Sequence, residues 1–66
     1  GFELIAKPIT LEDGVWIGAK ALVGPGITAF SHSVLTAGSI ATKNLEAYGI
    51  YQGNPALLIK TRTIKA

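Results

Sequence analysis

Few side chains in this sequence could make or break a covalent bond. The chain contains no cysteine, which excludes a thiol nucleophile, a disulfide and a zinc site built on cysteine. Its single histidine, His32, has the chemistry of a general base because imidazole titrates near neutral pH. One histidine alone does not build a multi-histidine metal site. Because His32 also falls at a position that recurs regularly along the chain, we expect its role to be structural.

Positive charge collects toward the C-terminal end. The formal net charge of the chain is +2. From residue 43 onward there is one acidic residue, Glu46, and there are four basic residues, Lys43, Lys60, Arg62 and Lys65. Such an end attracts phosphate-bearing ligands, since lysine and arginine both bind phosphate oxygens. The alternative interpretation is a solvated basic tail.

A six-residue repeat positions these side chains. From Ile5 onward every sixth residue is apolar, giving Ile5, Leu11, Ile17, Val23, Ala29, Leu35 and Ala41. From Ile9 on, the residues two places earlier are apolar or small, so each repeat holds a short in-out-in strand. A helix would need a period near 3.6, and an antiparallel meander would need longer strands and hairpin turns. The pattern therefore predicts a solenoid of very short parallel strands.

A turn follows each of these strands. The residues three places after the inward positions are Pro8, Gly14, Lys20, Gly26, His32 and Gly38. Glycine adopts a positive φ at little cost, which suits a corner that returns at this spacing. Lys20 and His32 must then accept the same corner with a Cβ atom, which adds modest strain.

Size and composition predict that the repeat packs against something else. A chain of 66 residues forms one small domain, and such domains usually need a disulfide, a metal or a partner. The composition is 48% hydrophobic and only 15% charged, which argues against disorder. We therefore expect apolar surface to be buried against copies of the chain or against another part of a longer polypeptide.

Targeting signals are not evident in the sequence. No apolar run reaches the roughly 18 residues of a membrane span, and residues 1–4 do not resemble a signal peptide. Together with the lack of cysteine, this predicts a cytoplasmic protein with no membrane span.

Four segments of the repeat resemble the hexapeptide-repeat acyltransferases. They are residues 9–19 (ITLEDGVWIGA), 23–28 (VGPGIT), 37–43 (AGSIATK) and 53–56 (GNPA). No single hexapeptide is specific, but the ordered set is. The resemblance runs over about residues 7–62 and is strongest to sugar O-acetyltransferases, namely the colanic acid biosynthesis, galactoside and maltose acetyltransferases.

This resemblance implies a left-handed parallel β-helix of triangular section, with three hexapeptides per coil, in contrast to the right-handed rule for crossover connections. Residues eighteen apart then stack, as Ile5 on Val23 and Ile17 on Leu35, and the chain holds about two coils. We expect residues 1–47 to form the coils and an exit loop, and residues 48–66 to form a terminal strand and a short capping helix of the same domain.

The predicted capping helix rests on local signals. Residues 48–52 read as a last strand, after which Asn54 is a good N-cap and Pro55 suits the first helical position. Residues 56–60, apolar except for Lys60, then read as a short helix that covers the open end of the prism with Leu58 or Ile59.

The resemblance also implies a coenzyme A site. Trp16 lies between two inward residues and so points outward, where a large aromatic contacts a ligand or a neighbouring subunit. In the family the pantetheine arm follows small corner residues, and a Thr-Lys pair lies beside the nucleotide end. The cofactor-binding residues expected on this basis are Trp16, Ala19, Ala37, Thr42 and Lys43, with Lys60 and Arg62 adding charge for the phosphates. The alternative is that the corners are small for steric reasons alone.

The activity implied is that of an acetyl-CoA-dependent O-acetyltransferase of polysaccharide biosynthesis, a homotrimer with a sugar hydroxyl as acceptor and no nucleic acid partner. The family's catalytic histidine precedes the repeat that begins here at Pro8. No histidine precedes Pro8, so we expect the base upstream of Gly1, this chain to be the inactive C-terminal part of the enzyme, and no catalytic or metal-binding residue within it.

Two other interpretations stay open from the sequence. One is the β-helix part of a sugar-phosphate nucleotidyltransferase. The other is a non-enzymatic trimerisation or scaffold module, in which Trp16 and Phe30 would serve interfaces only. A γ-class carbonic anhydrase shares the fold but requires several histidine ligands, which disfavours it here.

Overall fold

Short strands make up the whole of the regular structure. The computed structural model describes residues 7–63, and this part of the chain contains eight strands and no helix. The strands are β1 (Thr10–Leu11), β2 (Trp16–Ile17), β3 (Leu22–Val23), β4 (Thr28–Ala29), β5 (Val34–Leu35), β6 (Ile40–Ala41), β7 (Gly49–Gly53) and β8 (Ala56–Thr61). Within the described range no helix is long and apolar enough to cross a membrane.

Each of the first three strands pairs in parallel with the strand one coil later. This gives three faces: face 1 (β1, β4), face 2 (β2, β5, β7, β8) and face 3 (β3, β6). Leu11 lies beside Ala29, Ile17 beside Leu35 and Val23 beside Ala41, which confirms the predicted eighteen-residue stacking. The stacking predicted for Ile5 lies outside the described residues. The fold is the predicted left-handed parallel β-helix.

The corners follow the repeat as predicted. A positive φ occurs at Gly14 (74°), Lys20 (58°), Gly26 (76°), His32 (60°) and Gly38 (73°). The corner geometry therefore follows the position in the repeat even where the residue carries a Cβ atom, because the strands on either side keep their pairing.

The third coil is shorter than the other two. Leu45 pairs with Ala29 and Tyr51 with Leu35, so the stacking distance falls from eighteen residues to sixteen after Ala41. Leu45 is 1% exposed and belongs to the core. Leu45 thus continues the inward pattern across a corner that has lost two residues. The division of the chain at residue 47 stays a prediction.

The predicted capping helix is wrong. Residues 56–61 form β8, which pairs antiparallel with β7. A short apolar run fits a strand as well as a helix, and the deciding factor is the free edge of β7, whose backbone groups β8 satisfies. The strand predicted at residues 48–52 is confirmed within one residue. Leu58 lies beside Gly49, since a Cβ added at Gly49 would lie 2.9 Å from its Cδ1 atom, but it is 50% exposed and is not part of the packed core.

The packed interior lies in the second and third coils. Its members are Ile27, Ala29, Leu35, Ala41, Leu45 and Tyr51. Inward residues of the first coil remain accessible, with Ile9 46% and Leu11 53% exposed. The prism is therefore closed around its second coil and presents apolar surface at the first, which agrees with the expectation that the chain buries surface against something else.

Candidate functional site

The three corners of the prism differ in what occupies them. The filled corner joins faces 1 and 2 and carries Gly14, His32 and Tyr48. The small-residue corner joins faces 2 and 3 and carries Ala19, Lys20, Ala37 and Gly38. The lysine corner joins faces 3 and 1 and carries Lys7, Gly26, Thr42 and Lys43. An extended ligand that follows a corner meets a different surface at each.

Aromatic rings occupy the filled corner. The His32 and Tyr48 rings stack with centroids 5.0 Å apart, and a Cβ added at Gly14 would lie 2.0 Å from His32 Nδ1. The corner therefore requires glycine at residue 14 because the imidazole takes up the space. This position agrees with the structural role expected for His32 and leaves no open groove along the corner.

Arg62 closes the filled corner from outside. Its Nη1 atom donates to the carbonyl oxygen of His32 at 2.9 Å and to that of Gly14 at 3.4 Å. Its backbone N–H donates to the carbonyl oxygen of Tyr48 at 2.6 Å. The guanidinium predicted to bind phosphate is thus engaged with backbone carbonyls of the first two coils. The sequence offered no signal for this contact, since Arg62 and Gly14 are 48 residues apart.

The small-residue corner is open. Adjacent coils approach closely there, since a Cβ added at Gly18 would lie 2.5 Å from the backbone nitrogen of Ala37. Ala19 and Ala37 are exposed, and a Cβ added at Gly38 would meet no atom within 4 Å. The Gly38 N–H donates to the Ala19 carbonyl at 2.9 Å, which ties the two coils together. A narrow, extended molecule could lie against these methyl groups and the backbone between them.

The lysine corner is where the third coil is shortened. Asn44 closes it, because its Oδ1 accepts a hydrogen bond from the Thr28 N–H at 2.9 Å. Thr42 and Lys43 are both exposed beside that contact. Asn44 was not among the residues predicted from the sequence, although an amide three residues after Ala41, the end of the regular repeat, is a common corner-closing residue.

Trp16 points outward from face 2, as alternation predicted. It is 66% exposed, and its neighbours Val15 and Ile17 are half-buried. Trp16 pairs with Val34, which in turn pairs with Ile50, so these three side chains form an outward apolar stripe across three coils. Val34 is only 6% exposed despite its position on the outer face.

The predicted cofactor-binding residues fall into separate groups. Ala19 and Ala37 share the small-residue corner, and Thr42 and Lys43 share the lysine corner. Lys60 is exposed on β8 opposite Ile50, at the far edge of face 2. One copy of the chain does not bring all of them to one place. Among residues 7–63 there is neither a pocket nor a cluster of three potential metal ligands.

Comparison with curated proteins finds acetyltransferases. The chain is 38% identical over 58 residues to galactoside O-acetyltransferase of Escherichia coli K12, a match that covers 88% of the chain and 29% of that protein. It is 48% identical over 52 residues to a chloramphenicol acetyltransferase of Klebsiella aerogenes, over 79% of the chain and 25% of that protein. No protein-family model matches the chain. The chain thus spans less than a third of the length of these relatives.

Solved structures give the same result. A hexapeptide-repeat acetyltransferase of Vibrio cholerae, crystallised with acetyl coenzyme A, superposes with a TM-score of 0.87 at 33% identity, over 91% of this chain and 33% of that one. A galactoside acetyltransferase in complex with coenzyme A superposes with a TM-score of 0.80 at 38% identity, over 83% of this chain and 28% of that one.

Proposed function

Because the chain belongs to the hexapeptide-repeat acyltransferase family, we propose that the whole protein is an acetyl-CoA-dependent O-acetyltransferase that acts on a sugar hydroxyl. The observation that carries the proposal is the open small-residue corner, which lies in a chain similar over 91% of its length to a protein crystallised with acetyl coenzyme A. This chain then supplies the C-terminal, cofactor-binding part of the enzyme.

The small-residue corner is the proposed path of the pantetheine arm. Ala19 and Ala37 offer only methyl groups, so a thin chain can approach the backbone between the coils. The filled corner is unsuited to this role because the His32 and Tyr48 rings occupy it. Trp16, on the adjoining face 2, supplies apolar contact area beside the ligand.

Basic residues are proposed to bind the nucleotide end. Thr42 offers a hydroxyl and Lys43 an ammonium group, both exposed at the lysine corner. Lys60 is exposed on β8 and adds positive charge. Because Arg62 Nη1 is held by two carbonyl oxygens, we assign Arg62 a weaker part in phosphate binding, through its remaining N–H groups.

Since these residues lie on different corners, we propose that the ligand is bound between neighbouring copies of a homotrimer. Trp16 supports this arrangement, because a large aromatic side chain that is 66% exposed at the end of an apolar stripe is typical of a subunit interface. The enzyme is proposed to act in the cytoplasm in polysaccharide biosynthesis, which the resemblance to sugar O-acetyltransferases supports.

In the proposed reaction the acceptor hydroxyl attacks the thioester carbonyl directly. A histidine upstream of this chain takes the hydroxyl proton as the sugar oxygen bonds to the carbonyl carbon. The C–S bond then breaks, and the histidine returns the proton to the leaving thiolate of coenzyme A. Described residues of this chain hold and orient the acetyl donor, and none of them takes the proton.

Calorimetric titration of the full-length protein with acetyl-CoA tests the proposal. We expect binding, and we expect Thr42→Ala with Lys43→Ala to weaken it about tenfold or more while the oligomer stays intact, because two polar contacts to the nucleotide are lost. No binding at about millimolar acetyl-CoA would contradict the proposal.

A scaffold module is the second candidate, and the exposed Trp16 side chain on face 2 is the observation that favours it. In that case Trp16 serves an interface only, and the Thr42 and Lys43 variants leave both assembly and acetyl-CoA binding unchanged. The same titration therefore separates the two functions.

A further inference from the structure

We propose that Lys20 is a phosphate-binding residue of the small-residue corner. The inference rests on the proposed function and extends it, because Lys20 is not among the residues expected to contact coenzyme A. Its ammonium group would pair with a phosphate of a ligand whose extended arm follows Ala19 and Ala37.

The position of Lys20 supports this role. It follows Ala19 directly in the chain, and its corner position is one coil below Gly38. The Gly38 N–H donates to the Ala19 carbonyl at 2.9 Å, so Ala19 and Gly38 are adjacent at the corner surface. A Cβ added at Gly38 would meet nothing within 4 Å, so the surface next to Lys20 is open to a ligand.

The ammonium group of Lys20 is available. Lys20 is exposed, and its side chain takes part in none of the side-chain hydrogen bonds among residues 7–63. A lysine side chain extends about 6 Å from its Cα atom, far enough to reach an anion beside Ala19 or Ala37.

The other basic residues of the described chain lie elsewhere. Arg62 is bound to the carbonyls of the filled corner. The Lys7 side chain packs beside Gly26, with its Cδ atom 3.2 Å from the position of an added Cβ, and Lys43 shares that lysine corner. Lys60 lies on β8 at the edge of face 2. Within residues 7–63, Lys20 is thus the cation of the small-residue corner, where an anionic ligand would otherwise meet only alanine, glycine and backbone.

Calorimetry on the full-length protein with two probes tests the inference. The probes are coenzyme A and pantetheine, which has the same arm without the phosphates. We expect Lys20→Gln to weaken coenzyme A binding about five- to tenfold and to leave pantetheine binding unchanged, because one charge-assisted contact is removed. Lys20→Arg keeps the charge and should bind coenzyme A nearly as the wild type does. Asp13→Asn, which removes a charge beside the filled corner, is the control and should change affinity less than about twofold.

Lys20→Gly separates binding from folding. Glycine suits the positive φ of residue 20, so this variant should melt no lower than the wild type and still lose affinity for coenzyme A. Equal coenzyme A affinity in the wild type, Lys20→Gln and Lys20→Gly would overturn the inference, as would an equal loss of pantetheine affinity. Failure of the wild type to bind coenzyme A would instead overturn the proposed function.

Discussion

At the scale of single residues, two buried serines behave differently. Ser39 and Ser33 are both inward residues, 2% and 0% exposed. Ser39 Oγ lies 2.8 Å from Thr36 Oγ1 and accepts a hydrogen bond from the Gly53 N–H at 3.0 Å. Ser33 Oγ has no hydrogen-bond partner among the described residues. A buried hydroxyl without a hydrogen-bond partner lowers the stability of the fold by about 1–3 kcal/mol. Ser33 is therefore expected to destabilise the fold, whereas Ser39 stabilises it through its hydrogen bonds.

We therefore predict opposite effects of alanine at these two positions. Ser33→Ala should leave the free energy of unfolding unchanged or raise it by about 1 kcal/mol, since it removes an unpaired hydroxyl. Ser39→Ala should lower it by about 1–2 kcal/mol, because the Gly53 N–H loses its acceptor. Urea denaturation followed by the fluorescence of the single tryptophan measures both. A loss at Ser33 as large as that at Ser39 would show instead that a buried water bonds Ser33 Oγ.

At the scale of the elements, β8 is the part of the fold that local signals misidentified. It is an edge strand that carries Leu57, Leu58 and Ile59, all at least half exposed. β8 is attached to the prism by its backbone pairing with β7. Arg62, which follows the end of β8, provides a second attachment by donating hydrogen bonds to the carbonyl oxygens of Gly14 and His32. The strand is therefore fastened to the third coil along its length and to the first two coils at its end.

Removal of the arginine side chain tests this second attachment. Arg62→Ala should lower the free energy of unfolding by about 1 kcal/mol, since hydrogen bonds from a charged donor at a partly exposed site are lost. Amide hydrogen exchange in β8 should speed up while that of β5 stays slow, because only the end of the strand is released. Lys60→Ala, on the same strand, is the control and should change neither quantity. An unchanged exchange rate in Arg62→Ala would show that β7 alone holds the strand.

At the scale of the whole molecule, the distribution of apolar surface points to association. The interior is closed only around the second coil, and outward apolar side chains lie on face 2 and face 3, among them Trp16 at 66% and Leu22 at 61% exposed. Face 1 is polar by contrast, with Thr10 and Thr28 outward. The proposed homotrimer would therefore use face 2 and its neighbouring corners and would leave face 1 in solvent.

This arrangement predicts which substitutions dissociate the oligomer. Trp16→Glu should shift the full-length protein from trimer toward monomer by burying a charge at the interface, whereas Thr10→Glu on face 1 should leave the trimer intact. Light scattering coupled to size exclusion measures the mass of each, and circular dichroism checks that both remain folded. A Trp16→Glu variant that stays trimeric would place the interface away from face 2 and leave Trp16 a ligand contact only.

Much of the coil geometry could be predicted from the sequence alone. The six-residue spacing determined the parallel pairing, the inward residues and the positive φ of Lys20 and His32, because each of these depends only on the position within a repeat. These features are local or periodic, so the position of a residue within its repeat suffices to predict them. That Ala19 and Ala37, eighteen residues apart, share one corner followed from the three hexapeptides per coil that the family resemblance implied.

The tertiary structure decided the rest. The shortened third coil, with Leu45 inside, depends on Asn44 closing a corner against Thr28, and no repeat predicts where the period changes. Residues 56–61 became a strand because the edge of β7 offered backbone partners that a helix would have left unsatisfied. Arg62 was engaged by Gly14 and His32 for the same reason: hydrogen-bond partners far apart in the chain meet only when the coils have stacked. The sequence determined what each repeat would do, and the stacked coils determined which charged side chains remain free to bind a ligand.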